Sequence, residues 1–173
     1  MSKKILWITE TAVMIAVLVA LQWITKPMGQ FVTGSCVNLV LGISTLVGGL
    51  WCGATVAVLS PFFAFVVGIG PAFLPIVPMV AVGNLVLVLV LHFLAGGKKL
   101  GAMSYVAVAV AAVAKFAALW VLIVKLVLPT LGLAEKQVAM LSASFSWPQL
   151  VTALIGGVLA VTIAPAIRKS VKK

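Results

Sequence analysis

Six apolar runs with few charges inside them dictate what this chain can become: residues 7–25, 37–51, 54–68, 79–95, 103–128 and 148–164. A membrane-crossing helix takes roughly 20 such residues, with about 17 as the lower limit. The second and third runs are short and separated by little more than Gly48, Gly49 and Gly53. The chain is 64% hydrophobic and 8% charged, with a mean hydropathy of +1.34, far from the soluble average. An all-α integral membrane protein follows, with 1–173 as a single domain. No small-residue cleavage site follows the first run and equally apolar runs come after it, so it reads as a span rather than a signal peptide.

Charge arranges the spans. Lys and Arg gather at the cytoplasmic ends of membrane helices. With six crossings, Lys3, Lys4, Lys98, Lys99, Arg168, Lys169, Lys172 and Lys173 all fall on one side, which places both termini in the cytoplasm. Lys26 and Lys136 fall in outer loops, and Lys115 and Lys125 lie within the fifth run. Reading 37–68 as one helix would send the Lys98–Lys99 loop to the side opposite the N-terminus. The net charge of +10 is scattered singly or in pairs at segment ends, which is no nucleic-acid surface. The longest connection, 129–147, is mixed in composition and has room for a short interfacial helix carrying Glu135.

The inventory of reactive groups excludes much. One His and two acids supply no paired-carboxylate site, no HExxH zinc site and no triad with an acidic orienter, so neither catalysis nor a metal is expected. The loop "GGKKLG" at 96–101 lacks the Walker A order, so energy for uphill transport would come from another chain, and no cofactor is implied. Cys36 and Cys52 match no metal or redox spacing and read as small apolar thiols.

What remains is the polar minority inside the bilayer, where each such group is costly enough to mark a purpose. Asn38 opens the second run, Asn84 lies about one and a half turns into the fourth, and Gln149 and Thr152 form an i, i+3 pair near the start of the sixth. Lys125 is three residues from the outer end of the fifth run, and helical side chains lean toward the N-terminus, so its ammonium either points inward at an anion or snorkels to the interface. Lys115 is nearer mid-span, where a cavity, a backbone carbonyl or a protein interface would each serve it. Asn38, Asn84, Lys125, Gln149 and Lys115 are thus the candidate substrate-binding residues. The segments 29–38, rich in Gly and hydroxyls, and 68–78, with three prolines, read as loops that wall or cover the site. His92 reads as interfacial, and Trp51, Trp120 and Trp147 either stack on a ligand ring or anchor the aromatic belt.

The first run also keeps one stripe small. Ala12, Ala16 and Ala20 stand four apart on one helix face, a ridge that lets a second backbone approach closely in lipid. The spacing alone leaves open whether that second helix belongs to this chain or to another.

A chain of 173 residues with six spans, both ends inside and A-x-x-x-A-x-x-x-A in its first helix resembles the substrate-binding S component of an energy-coupling factor (ECF) vitamin transporter. The run from Thr33 to Val90, "TGSCVNLVLGISTLVGG" onward, is similar in style to prokaryotic members. The resemblance implies that Ala12, Ala16 and Ala20 meet a transmembrane coupling subunit riding on two cytoplasmic ATPases, in a prokaryotic cell membrane. It also implies a small vitamin or related micronutrient held near the outer face, released inside when the S component topples. It transfers no individual binding residue. A site with Lys125 and several amides but no nearby acid favours a carboxylate or phosphate over a cation. Two other readings stand beside this one. One is a small channel or permease self-associating through the alanine ridge, and the other is an assembly subunit without a ligand.

Overall fold

The computed structural model describes residues 3–70, 72–97 and 99–171, and every regular element in them is helical. The chain runs α1 (Lys3–Thr25), α2 (Gln30–Leu46), α3 (Gly49–Val66), α4 (Ile76–Ala95), α5 (Ala102–Leu119), α6 (Glu135–Ser144) and α7 (Trp147–Val171). A π-helical stretch, Trp120–Val127, continues α5 toward its far end. Five stretches are long and apolar enough to cross a membrane; α2 has 17 residues and is an apolar helix just short of that length. At 1.5 Å per residue α2 spans about 25 Å, less than the roughly 30 Å hydrocarbon core. Six long helices alternate in direction, so α1 starts at the end of the bundle where α2 finishes. The residues that favour a cytoplasmic assignment of that end include Lys98, Lys172 and Lys173, which lie outside the described residues, as does Pro71.

Two boundaries differ from the sequence reading. Residues 29–38 were expected as a loop, but Gln30 onward is helix, so Asn38 sits two turns inside α2 rather than at its start. Gly, Ser and Asn disfavour helices in water, where the unbonded backbone is hydrated. In an apolar surround the helix is the local way to pair every N–H and C=O, and the side chains join it: Ser35 Oγ donates to the Phe31 carbonyl at 2.6 Å and Asn38 Nδ2 to the Gly34 carbonyl at 2.8 Å. The second span ends at Leu46 rather than Trp51 and the third begins at Gly49 rather than Ala54, so of the three glycines that separate the runs Gly48 and Gly49 make the break, where Gly49 takes φ of 84°. Gly53 is helical and serves packing: a Cβ there would stand 2.5 Å from Thr45 Oγ1 of α2. Two prolines of 68–78 act as helix starters, Pro75 capping α4 and Pro78 in its first turn, where a missing N–H costs nothing.

The central helix is α2, which packs on α1, α3, α4 and, most extensively, α7. That last approach depends on Gly156, whose absent Cβ would lie 2.5 Å from the Ser35 carbonyl and 2.6 Å from Asn38 Cβ. Small residues at a crossing are what dense helix packing in lipid requires. One apolar core, including Leu41, Val88, Leu91, Val108, Ala112 and Ala160, fills the half of the bundle nearer the termini. A second, smaller one of Ile76, Leu119, Ile123, Leu128, Leu141 and Phe145 pins α6 against α4 and the π-helical stretch at the other end. At the termini end, Arg168 of α7 donates through Nε and Nη2 to the Leu46 carbonyl, closing the last turn of α2 with a cation where the helix dipole is negative. By contrast α1 packs mainly on α2 and α3 among the described residues, and its apolar stretch is 11% buried against 39–44% in the other four long enough to span.

Candidate functional site

Between the two apolar cores lies a cavity of about 360 Å³. Its volume is at the small end of the range typical of small-molecule sites, about 300–1,000 Å³. Residues of α1 (Gln22), α2 (Thr33, Gly34, Val37, Asn38), α3 (Ser60, Pro61, Ala64), α4 (Val80, Asn84), α5 (Lys115) and α6–α7 (Leu141, Phe145, Gln149) line it.

Its depth is marked by one cation. Lys115 is 2% exposed, and its Nζ donates to Asn38 Oδ1 and to Asn84 Oδ1, each at 2.7 Å. Three helices meet at that ammonium. The orientation of the Asn38 amide is set independently, because its Nδ2 donates to the Gly34 carbonyl and, at 3.4 Å, to Thr152 Oγ1 of α7. With Nδ2 so committed, Oδ1 is the atom left for Lys115. Asn84 spends its oxygen on the same ammonium, which leaves its amide nitrogen as a donor at the cavity. An ammonium has three N–H bonds, of which the two asparagines take two. No carboxylate lines the cavity. A charge at this depth without an anion costs about 2.5–3.5 kcal/mol on insertion scales, a cost of the size that two amide acceptors at about 1.5–3 kcal/mol each offset.

Two further polar atoms face the same space unpaired. Ser60 Oγ and Gln22 Oε1 are buried without a hydrogen-bond partner among the described residues, and both residues line the cavity. Neither stood out in the sequence: Gln22 lies near the end of the first apolar run, and Ser60 precedes Pro61 in the third. The serine-proline pair inside an apolar run was the available signal, since Pro61 removes a helical N–H and such irregularity is tolerated where a cavity relieves it.

The covering layer is α6 with the turns beside it. Gln30 of α2 and Gln149 of α7 both donate through Nε2 to the Ser144 carbonyl at the end of α6, at 2.5 Å and 3.1 Å. Lys26 Nζ donates to the Gly68 carbonyl at 2.8 Å, joining the α1–α2 turn to the α3–α4 loop. Four of the five expected site residues, Asn38, Asn84, Lys115 and Gln149, are therefore brought to one cavity. Lys125 is not. It is exposed on the π-helical stretch, and its Nζ lies 4.6 Å from the centroid of the Trp120 ring, a cation–π contact. The wider turn of the π-helix stacks residue 125 over residue 120 and takes the ammonium outward, against the inward lean that α-helical geometry implies. The buried lysine of the cavity is Lys115. Trp51, Trp120 and Trp147 are exposed and absent from the lining.

The alanine ridge is on the outside. Ala12, Ala16 and Ala20 are all exposed, and Ala16 and Ala20 floor a shallow groove edged by Val19, Trp23, Ile24 and Val67. No helix of this chain covers it among the described residues, so the internal packing that spacing alone allowed is not its use here.

Fold and cavity together define a polytopic membrane protein with a partly open, lysine-floored cavity near one end and an uncovered small-residue face on its first helix. The family described as ECF transporter, substrate-specific component, matches residues 8–168, nearly the whole chain, and the protein belongs to that family. No curated protein and no solved structure matches the chain. Members are the substrate-binding subunits of transporters rather than enzymes, and the apolar helices make this one a multi-pass membrane protein.

Proposed function

We propose that this chain is the substrate-capture subunit of an ECF-type ABC importer, taking a small vitamin or related micronutrient from the outer side of a prokaryotic plasma membrane. The observation that carries the reading is the cavity lined by buried, unpaired polar atoms, in a chain of the substrate-specific family. Asn38, Asn84 and Lys115 form its floor, while Gln149 acts through the α6 cover. Both termini are cytoplasmic, and the single domain spans 1–173. The exposed Ala12–Ala16–Ala20 ridge docks a transmembrane coupling subunit, and two cytoplasmic ATPases supply the energy for which this chain has no phosphate-binding loop.

Reconstitution tests it. Proteoliposomes containing this chain with the coupling subunit and both ATPases should accumulate the substrate only with ATP inside, and omission of this chain should abolish uptake. Flux through this chain alone without ATP would reject the reading in favour of a channel or permease.

A further inference from the structure

The chamber has a charge preference that can be read from its walls. Lys115 sets one buried basic nitrogen in the wall, held by two neutral amides, and no Asp or Glu lines the cavity beside it. The two acids of the chain, Glu10 and Glu135, lie on α1 and α6 outside the lining. Two asparagines that served only to tie α2 to α4 would not need a cation between them. Three helices, α2, α4 and α7, also begin at the covered end, so their positive dipole ends lie on the cavity side of the bundle. On the α1–α3 wall the unpaired atoms differ in kind: Gln22 Oε1 is an acceptor that lacks a donor, and Ser60 Oγ serves either way.

We infer that the captured molecule is a monocarboxylate, its carboxylate seated on the Lys115 ammonium and the Asn84 amide nitrogen, with a hydrogen-bond donor at its other end facing Gln22 and Ser60. The other lysine of the lining, Lys26, is exposed at the rim and already donates to the Gly68 carbonyl, so at the depth of Lys115 one ammonium balances one negative charge, and most of the second charge of a phosphate monoester near neutral pH would go uncompensated there. The lining also has apolar members, Val37, Ala64 and Val80 among them, which suit a short hydrocarbon or ring. This inference rests on the capture reading, and its test separates the two.

The purified protein is titrated with four matched pairs: lipoate and lipoamide, nicotinate and nicotinamide, pantothenate and pantothenol, biotin and biotinamide. In parallel, native mass spectrometry reads any small molecule that the protein carries from its own membrane. A bound acid whose neutral partner binds at least 100-fold more weakly, or a co-extracted monocarboxylic acid, supports the inference. Asn84→Asp, which places an internal carboxylate on Lys115 with little change of shape, should then remove at least 100-fold of the acid's affinity while the fold is kept; Lys115→Met should do the same. A neutral, cationic or phosphorylated ligand, or acid binding that survives Asn84→Asp, overturns the charge assignment and leaves the capture function standing. No binding in any pair together with an empty protein from the membrane overturns both.

Discussion

Replacing Asn84 with leucine removes one of the two hydrogen bonds that hold the Lys115 ammonium while keeping the side-chain volume. The bond is 2.7 Å long, between residues each 2% exposed. A neutral interhelical hydrogen bond in a bilayer contributes about 0.6 kcal/mol on average, whereas one to a charged group contributes about 1.5–3 kcal/mol. With no carboxylate to take over, the charged value applies, and Asn84→Leu should destabilise the ligand-free protein by about 2 kcal/mol. Lys115→Met should cost less, on the order of 1 kcal/mol, because the two amide oxygens it releases face a cavity with room for water. Once the charge is gone, leucine at 84 strands nothing, so the double variant should be more stable than Asn84→Leu alone. That is a coupling of about 2 kcal/mol between residues in contact. Reversible unfolding in mixed detergent micelles, followed by far-UV circular dichroism, measures all four corners of the cycle. Additive effects, or an Asn84→Leu cost no larger than about 0.6 kcal/mol, would refute the argument that Lys115 is a charge held only by amides.

Other changes probe the remaining parts of the account. Gly156→Leu forces atoms into the 2.5 Å gap over Ser35 and should destabilise by about 1–3 kcal/mol or more, seen as a lowered Tm, with ligand binding lost as Asn38 is displaced. The pair Gln30→Ala and Gln149→Ala frees the Ser144 carbonyl from both amides; stopped-flow tryptophan fluorescence should show ligand release faster by on the order of tenfold with secondary structure unchanged. Lys125→Ala, outside the cavity, should leave affinity within about twofold of wild type in the same titration, whereas Lys115→Met should not. Ala16→Trp fills the groove on α1 and should abolish co-purification of the coupling subunit while substrate binding persists.

Hydropathy is enough to find the long helices, because the bilayer demands length and apolarity of each one separately. It is weaker at their ends. The segment 29–38 has loop-like composition in an aqueous frame, yet the same Gly, Ser and Asn residues form the start of α2, where Gly34 faces Thr152 and Asn38 reaches Lys115. The asparagines and Lys115 could be singled out by the cost of burying them. Their meeting could not, since it joins residues 31 and 77 positions apart through helix rotation that periodicity does not fix. Lys125 misled for a local reason: the inward lean assumed an α-helix, and a π-helical turn puts the ammonium over Trp120 instead. Gln22 and Ser60 drew no notice because a single amide or hydroxyl in an apolar run has ordinary uses, and only their lack of a partner in the folded chain singles them out. The alanine ridge was visible as a pattern, but its exposure depends on which helices surround α1.

The central claim is that this chain captures a small molecule and hands it to a coupling module. Native mass spectrometry of the complex, gently extracted from its own membrane beside the Ala16→Trp variant, tests it most directly. The expected spectrum of the wild type holds one copy of this chain with a small-molecule adduct, one coupling subunit and two ATPases; the variant keeps the adduct and loses the partners. A bare homo-oligomer, identical in both samples, would contradict the account and give the alanine ridge to self-association.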